Sequence, residues 1–287
     1  MRYRTLLKIG PVGFRIGSDW RAPIAALDDL YRDYPRPDSD IADFTVRLFA
    51  ARWWRRFLRP SVMIGGDYTI PDAAPLPLSM GLLAAEMGMN LQMALGHRRY
   101  LLIHASAVER DGRALLMTGM SGAGKSTLAA LLTARGWRLM GDEFALIDPE
   151  TGLVHAFPRL ISLKNRAIDE VHSALPGGRF GPMLADTPKG DLRHLVPDAR
   201  AIEAMMRPAT PALLLFPAFG HALAERPVGR AETFVRLTQA STNFVLLGES
   251  GFTALSHLVN SVPVRAIDYP DTPGAIALVD RLWETLA

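Results

Sequence analysis

The glycine-rich stretch GMSGAGKST at 119–127 combines one lysine and three hydroxyl residues in a spacing that suits phosphate chemistry. Gly119, Gly124, Lys125 and Ser126 fit the pattern G-x-x-x-x-G-K-[ST], in which the backbone N–H groups of a loop surround phosphate groups. In such a loop the lysine reaches the β- and γ-phosphates, and the serine hydroxyl binds Mg²⁺. Because no N-K-x-D motif for guanine occurs, the pattern predicts a site for ATP and Mg²⁺.

The flanking sequence predicts the two elements that such a loop requires. The apolar run at 114–117 predicts a strand before the loop, and TLAALLTARG at 127–136 predicts a helix after it. The positive end of that helix would face the phosphates. A glycine-rich turn that binds nothing is the alternative. We expect nucleotide contacts from Gly119, Ser121, Gly122, Ala123, Gly124, Lys125, Ser126 and Thr127.

Three further residues with reactive side chains lie within 21 residues of Lys125 along the chain. Asp142 and Glu143, in RLMGDEF, follow Lys125 by 17 and 18 residues, at the end of a short apolar run. His104, in LLIHASAV, precedes that lysine by 21 residues. A carboxylate beside the γ-phosphate can accept the proton of an acceptor hydroxyl, and a second can bind the metal. The alternatives are a solvated strand end for the acidic pair and a core histidine for His104.

In the spacing of these residues the sequence resembles the catalytic domain of HPr serine kinase. The likeness covers about residues 100–285 and implies an α/β fold. Its catalytic part, at 99–287, would be a P-loop kinase domain of the HPr kinase and phosphoenolpyruvate carboxykinase type, beside a smaller α+β N-terminal region at 1–98. Four later segments resemble the stand-alone HPr-kinase-related branch: PRLISLKN (158–165), TPKG (187–190), LLFPAF (214–219) and TNFVLLGESGF (242–252).

The resemblance also implies a role for each reactive residue. Asp142 would accept the proton of the acceptor hydroxyl, and His104 would orient the acceptor or tune that carboxylate. Lys125 would hold the transferred phosphate. Glu143, where the family usually has an aspartate, would bind Mg²⁺ together with Ser126.

Two cations in PRLISLKN, Arg159 and Lys164, are additional candidates for holding phosphate oxygens. A solvated loop is the alternative for this segment.

The expected activity is that of an ATP-dependent serine kinase, which transfers the γ-phosphoryl group to a hydroxyl on a small protein or peptide. True HPr kinases also reverse this reaction, and the resemblance associates the reversal with a Glu-Ile-Arg-Gly-type segment. That segment has no counterpart between Glu143 and Ala287, so we expect a kinase without phosphorylase activity. A small-metabolite kinase and a nucleotide-gated P-loop binding protein are the alternatives.

The composition restricts the class of protein. The chain has 287 residues, of which 49% are hydrophobic and 21% charged, as in ordinary soluble domains. It has no cysteine, which excludes disulfides, thiolate metal sites and a cysteine nucleophile. Arg2, Arg4 and Lys8 interrupt the first apolar residues, so no signal peptide is predicted and a cytoplasmic location is expected.

The densest cluster of basic residues is ARWWRRFLRP at 51–60, in a chain with a formal net charge of +3. Phe44, Leu48, Phe57 and Leu58 lie near helical spacing around it, which favours an amphipathic helix whose arginines extend from a packed face. A membrane or nucleic-acid patch is the alternative. We expect neither a nucleic-acid nor a membrane partner, and a homo-oligomer remains open.

The remaining patterns predict the order of helices and strands. The N-terminal region should hold a strand-like start at 3–16 and helices near 22–33, 40–58 and 79–96. Later strands are expected near 100–108, 113–118, 137–141, 144–147, 212–216 and 244–248. Later helices are expected near 125–135, 228–239, 250–258 and 273–286.

Overall fold

A computed structural model describes residues 1–37, 40–71 and 73–286 of the chain as a mixed α/β protein with several sheets. The described residues of the N-terminal part form one five-stranded sheet in the order β1-β2-β3-β4-β5, with two α-helices. Its elements are β1 (Tyr3–Ile9), β2 (Val12–Ser18), α1 (Arg21–Leu30), β3 (Phe44–Phe49), β4 (Ser61–Gly66), β5 (Leu76–Pro77) and α2 (Gly81–Gly96).

Alternating burial explains why the first strands form. In β1 the side chains of Leu7 and Ile9 are buried, and in the paired β2 those of Phe14 and Ile16 are buried. A strand presents every second residue to the same face, so this pattern produces one apolar side. The strand-like start, the helix near 22–33 and the helix near 79–96 are confirmed.

The predicted helix at 40–58 is wrong. Residues 44–49 form β3, which pairs in parallel with β2, and Trp53–Arg56 form a single 3₁₀ turn. Phe44, Val46 and Leu48 are buried, so the apolar residues of this stretch follow a period of two. The expected helical stripe does not form, and the aromatic residues that follow the strand lie at the surface.

The rest of the chain forms a six-stranded sheet, two three-stranded sheets and their helices. The strands are β6 (Leu101–Ile103), β7 (Ala105–Arg110), β8 (Arg113–Thr118), β9 (Arg138–Gly141), β10 (Ala145–Ile147), β11 (Val154–His155), β12 (Ile161–Lys164), β13 (Leu184–Thr187), β14 (Gly190–Leu195), β15 (Thr210–Phe219), β16 (Ala224–Pro227) and β17 (Val264–Tyr269). The helices are α3 (Lys125–Ala134), α4 (Arg166–Ala174), α5 (Ala199–Glu203), α6 (Arg230–Ala240), α7 (Phe244–Leu247), α8 (Glu249–Ser261) and α9 (Thr272–Glu284).

The six-stranded sheet has the order β16-β17-β15-β8-β7-β9, and its register brings distant residues to one edge. The central strands β8, β15 and β17 are parallel, so their carboxyl ends meet at that edge. β7 is antiparallel to β8 with Ala105 opposite Thr118, and β9 is antiparallel to β7 with Gly141 opposite Ala107. The start of β7, the end of β8 and the end of β9 therefore lie together.

Most of the later elements agree with the prediction, but the strand expected near 244–248 is wrong. That segment is the short helix α7, and Val245 and Leu246 are exposed rather than buried in a sheet. Gly248, with φ +57°, separates α7 from α8. The parallel strand β17 was not predicted, because its sequence VRAIDY mixes polar and apolar residues over only six positions.

One hydrophobic core joins the N-terminal sheet to the later part of the chain. It contains Phe14 and Leu48 of that sheet together with Tyr100, Phe144 and Phe157 from beyond residue 98. The division at 98 and 99 stays a prediction. Among the described residues, no helix is both long and apolar enough to cross a membrane.

Candidate active site

A cavity of about 510 Å³ opens at the sheet edge where β7, β8 and β9 bring their ends together. Most residues that the sequence singled out line it: His104, Ser121, Gly122, Gly124, Lys125, Ser126, Thr127, Asp142, Glu143 and Lys164. Gly119, Ala123 and Arg159 are not among the lining residues. Residues from four separate segments thus share one solvent-accessible space.

The glycine-rich loop, residues 119–124, runs from the end of β8 to the first turn of α3. Gly122 and Gly124 have φ angles of +85° and +90°, in the left-handed region that favours glycine. A Cβ at Gly124 would also clash with the hydroxyl of Tyr269. That hydroxyl donates a hydrogen bond to the carbonyl of Ala123 over 2.9 Å, which fastens the loop to β17.

Lys125 begins α3, and its ammonium group turns back onto the loop. It donates hydrogen bonds to the carbonyl oxygens of Gly119, at 2.8 Å, and Met120, at 3.0 Å. Burial lowers the pKa of this lysine, against the opposing effect of the Asp142 and Glu143 carboxylates. Gly119 thus shapes the loop through its backbone carbonyl, as Ala123 does.

Asp142 follows β9 directly and is 2% exposed. Its carboxylate accepts hydrogen bonds from the hydroxyls of Ser106 and Ser126, the latter at 3.0 Å, and from the backbone N–H of Ser162 at 3.4 Å. Burial raises the pKa of Asp142, and the neighbouring charge of Glu143 raises it further. The carboxylate is therefore held rigidly beside the first turn of α3.

Glu143 and His104 form a second, more open pair in the cavity. Nδ1 of His104 lies 3.6 Å from Oε2 of Glu143, and their side chains are 44% and 30% exposed. The backbone of Glu143 has φ +80°, a conformation that costs a non-glycine residue of order 1–3 kcal/mol. His104 interrupts the run between β6 and β7, and its carbonyl accepts a hydrogen bond from the Thr118 hydroxyl at 2.8 Å.

Several lining residues were not in the predicted set. Arg166 and Lys189 add positive charge near Lys164, and Asn165 lies between α4 and β12 with φ +50°. The Asn165 side-chain oxygen accepts a hydrogen bond from the backbone N–H of Asp191 at 3.1 Å, which joins the segments that carry the cations. The motifs PRLISLKN and TPKG contained this signal, but Arg166 stands one residue beyond the first of them.

The cavity is also lined by aromatic and polar residues that sequence reasoning missed. Phe219 and Tyr269 end two neighbouring parallel strands and contact each other edge to face, with ring centroids 5.8 Å apart. Thr272 and Glu170 line the same cavity. The rule that ligands bind beyond the carboxyl ends of parallel strands gives a signal for Phe219 and Tyr269, provided that β17 is recognised.

Arg159 does not lie where the sequence predicted. It is 2% exposed, and its guanidinium donates to the carboxylate and the carbonyl of Glu86 and to the side chain of Asn90, both on α2. The Tyr31 hydroxyl donates to the same carboxylate at 2.9 Å. Because these partners occupy the guanidinium inside the core, we do not retain Arg159 as a phosphate ligand.

The oxygen atoms around Ser126 fit the chemistry of Mg²⁺. The hydroxyl of Ser126 and the carboxylates of Asp142 and Glu143 are hard ligands in one cavity. Among the described residues, no group of three or more histidines, cysteines or carboxylates could hold a metal on its own. Magnesium usually takes only one or two carboxylates from the protein, and phosphate oxygens and waters complete its shell.

A model of the family described as SynChlorMet cassette protein ScmC matches residues 81–172, about a third of the chain. No curated protein matches the sequence. Among solved structures, the chain is similar to the Hpr(Ser) kinase/phosphatase from Coxiella burnetii, with 16% identity over 64% of this chain and 98% of that one. The TM-score is 0.29, so this likeness carries no argument about fold or activity.

Proposed function

We propose that the chain is an ATP-dependent serine kinase, which transfers the γ-phosphoryl group to a hydroxyl of a small protein or peptide. The observation that carries this proposal is the meeting of Lys125, Ser126 and Asp142 in one cavity, with a direct Ser126–Asp142 hydrogen bond of 3.0 Å. Phosphoryl transfer needs the phosphate charge neutralised and the nucleophile aligned, and these residue types supply both.

The nucleotide half of the proposal rests on the glycine-rich loop and on Lys125. The left-handed glycines let the loop curve at the start of α3, where free backbone N–H groups attract anions. The Lys125 ammonium is buried against two loop carbonyls, and we propose that it exchanges these for the β- and γ-phosphate oxygens of ATP. Ser126 and Glu143 would hold the Mg²⁺, which would neutralise phosphate charge when bound.

The acceptor half rests on the carboxylates. We assign Asp142 to accept the proton of the serine hydroxyl and His104 to orient the acceptor. In this assignment burial and the charge of Glu143 raise the pKa of Asp142, and hydrogen bonds from Ser106, Ser126 and the Ser162 backbone oppose them by favouring the ionised carboxylate.

The Ser126–Asp142 hydrogen bond also supports a second assignment of roles within the same reaction. The hydroxyl expected to bind Mg²⁺ contacts Asp142 rather than Glu143, and Asp142 is the less exposed of the two carboxylates. In the second assignment Asp142 and Ser126 hold the metal, and Glu143, beside His104, takes the proton. The magnesium dependence of the variants Asp142→Asn and Glu143→Gln distinguishes these assignments.

We further propose that the enzyme does not catalyse the reverse phosphorylase reaction. The support is the missing Glu-Ile-Arg-Gly-type segment after Glu143. Lys164, Arg166 and Lys189 line the cavity and could hold inorganic phosphate, so this part of the proposal requires its own measurement.

The proposed function is tested by incubating the protein with γ-labelled ATP, Mg²⁺ and a soluble extract of the source cell, then identifying what becomes labelled. We expect label in a small protein or peptide with wild-type enzyme and none with Lys125→Ala. Label found only in a metabolite would support a small-metabolite kinase. Release of inorganic phosphate without any labelled acceptor would support a nucleotide-gated binding protein.

A further inference from the structure

The segment that connects β3 to β4 has an unusual charge. Between Asp43 and Asp67 the chain carries five arginines, at 47, 52, 55, 56 and 59, and no acidic residue. Four of the five lie in residues 52–59, which we name the basic-aromatic loop. This loop also contains Trp53, Trp54, Phe57 and Leu58. A strongly cationic and strongly apolar surface thus occupies a single loop.

The large apolar side chains of the basic-aromatic loop face solvent. Trp53 is 78% exposed, Phe57 76% and Leu58 67%. The neighbouring Phe49, on the outer face of β3, is also exposed. Contiguous exposed apolar groups are rare on monomeric proteins and mark surfaces that bind a partner.

The loop has a defined conformation that keeps these side chains outside. Within it, the backbone N–H groups of Phe57 and Leu58 both donate to the carbonyl of Trp54, at 3.0 and 2.9 Å. The Trp20 indole donates to the carbonyl of Arg56 at 3.0 Å, and Arg56 in turn donates to the carbonyl of Asp19 at 3.0 Å. Contacts with the turn between β2 and α1 therefore hold the loop in a conformation that exposes its apolar residues.

Among the described residues, three arginines of the loop lack an acidic partner. In the described ranges 1–37, 40–71 and 73–286, no ion pair joins Arg52, Arg55 or Arg59 to a carboxylate. An anionic partner would complement this surface, because its negative charges would pair with guanidinium groups that have no carboxylate partner among the described residues.

The aromatic geometry favours a lipid surface over a nucleic acid. The guanidinium of Arg52 lies over the Trp54 ring at 5.2 Å, and that of Arg56 over Phe57 at 5.8 Å. Trp53 and Trp54 meet edge to face at 90°, so they form no parallel slot for a base. Tryptophan and arginine together are favoured at the boundary between acyl chains and anionic headgroups.

We propose that the basic-aromatic loop docks the protein onto an anionic lipid surface. Trp53, Phe57 and Leu58 enter the interfacial layer, and the arginines bind the headgroup phosphates. This revises the expectation of no membrane partner, which assumed that the apolar residues pack against the protein. None of the loop residues lines the candidate active site, so docking is separate from the proposed phosphoryl transfer.

The test is co-sedimentation of the full-length protein with vesicles of phosphatidylcholine alone or mixed with phosphatidylglycerol. We expect binding only to the anionic vesicles, and weaker binding at high salt. The triple variant Arg52→Gln, Arg55→Gln, Arg59→Gln should lower the partition coefficient about 100-fold, from about 1 kcal/mol for each arginine near the surface. The triple variant Trp53→Ser, Phe57→Ser, Leu58→Ser should also lose binding.

A matched control separates this surface from the net charge of the protein. Replacing the exposed arginines at 2, 98 and 230 by glutamine removes the same charge elsewhere and should leave vesicle binding unchanged. Equal loss in this control would overturn the proposal, as would equal binding to neutral vesicles or no binding at all. Binding of a labelled oligothymidylate that is lost in the loop variants, without vesicle binding, would assign the surface to nucleic acid instead. Thermal unfolding of each variant verifies that it is folded.

Discussion

The hydroxyl of Ser126 donates a hydrogen bond of 3.0 Å to the carboxylate of Asp142, which lies 16 residues further along the chain. The first residue is on the opening turn of α3, and the second follows β9. The contact exists because β7 lies between β8 and β9 in the sheet and brings the ends of those two strands to one edge. It links the group expected to bind metal to the group expected to accept a proton.

Removing the Lys125 ammonium should weaken nucleotide binding. A hydrogen bond to a charged group is worth about 1.5–3 kcal/mol, so Lys125→Ala should lower the affinity for ATP with Mg²⁺ about 10- to 100-fold. Isothermal titration calorimetry measures this change, and Lys8→Ala on β1 is the matched control. Equal affinity in the wild-type and Lys125→Ala proteins would exclude the glycine-rich loop as the phosphate site.

Asp142→Asn should reduce turnover and leave nucleotide affinity nearly unchanged. The amide keeps the shape of the side chain but cannot take a proton, so kcat should fall roughly 10²- to 10⁴-fold. Asp169→Asn, at an exposed position of α4, is the control. Kinetics at several Mg²⁺ concentrations separate the two role assignments. Our assignment requires an unchanged Mg²⁺ midpoint in Asp142→Asn and a raised one in Glu143→Gln, whereas the opposite pattern would exchange the two roles.

The proposed one-way reaction predicts that no pyrophosphate forms from phosphorylated acceptor, Mg²⁺ and inorganic phosphate. Reversal would require a second phosphate site in line with phosphoserine. An enzymatic pyrophosphate assay on purified phosphorylated acceptor measures this. If pyrophosphate appears, and if Lys164→Gln or Lys189→Gln abolishes it, the cations of the cavity form that second site.

The buried pair of Arg159 and Glu86 should stabilise the fold without affecting nucleotide binding. Arg159→Met leaves a buried carboxylate without its cation, which costs about 3–5 kcal/mol. Urea unfolding should show this loss, and the double variant Glu86→Gln, Arg159→Met should recover part of it. A large drop in ATP affinity in a folded Arg159 variant would return this residue to the phosphate site.

Stability should fall in mildly acidic solution because His97 is buried. Burial lowers the pKa of His97 to about 4, from 6.5 in an unfolded chain. The fold therefore favours the neutral imidazole of His97. Above pH 6.5 this histidine is neutral in both the folded and the unfolded state, and it causes no loss of stability. As the pH falls from 6.5 towards 4, the unfolded state binds the proton first, and stability drops by up to about 1.4 kcal/mol per pH unit.

The variant His97→Phe keeps an aromatic ring beside Tyr100 and removes the titration. Its unfolding free energy should change less with pH between 6.5 and 4 than that of the wild type, in urea titrations at a series of pH values. His194, whose pKa burial also lowers, accounts for part of the slope that remains. An unchanged slope in the variant would show that His97 does not contribute.

The parts of the site that the sequence predicted are those set by local pattern and by sheet register. The G-x-x-x-x-G-K-[ST] pattern between a strand and a helix identified the loop, and the acidic pair follows the next strand along the chain. Tyr269 was not predicted, because its contact with the Ala123 carbonyl joins residues 146 positions apart. Arg159 was placed incorrectly for the same reason, since its partner Glu86 is 73 residues earlier.

The basic-aromatic loop shows a different limit of sequence reasoning. Burial of large apolar residues is the general expectation, and for that reason Phe57 and Leu58 were predicted to lie on the packed face of a helix. The buried residues of β3 follow a period of two instead, and the strand ends before the tryptophans. The exposed apolar side chains of this loop depart from the rule that large apolar residues are buried, and the prediction of a helix depended on that rule.

The most direct test of the central claim is the chemical fate of the γ-phosphate. Wild-type protein is incubated with γ-labelled ATP, Mg²⁺ and the extract fraction that contains the acceptor, and the labelled protein is hydrolysed for phosphoamino-acid analysis. We predict that the label is phosphoserine, that it requires Mg²⁺, and that Lys125→Ala and Asp142→Asn both lose it. Label on another residue type, or equal phosphoserine with both variants, would contradict the assignment of this cavity to serine phosphorylation.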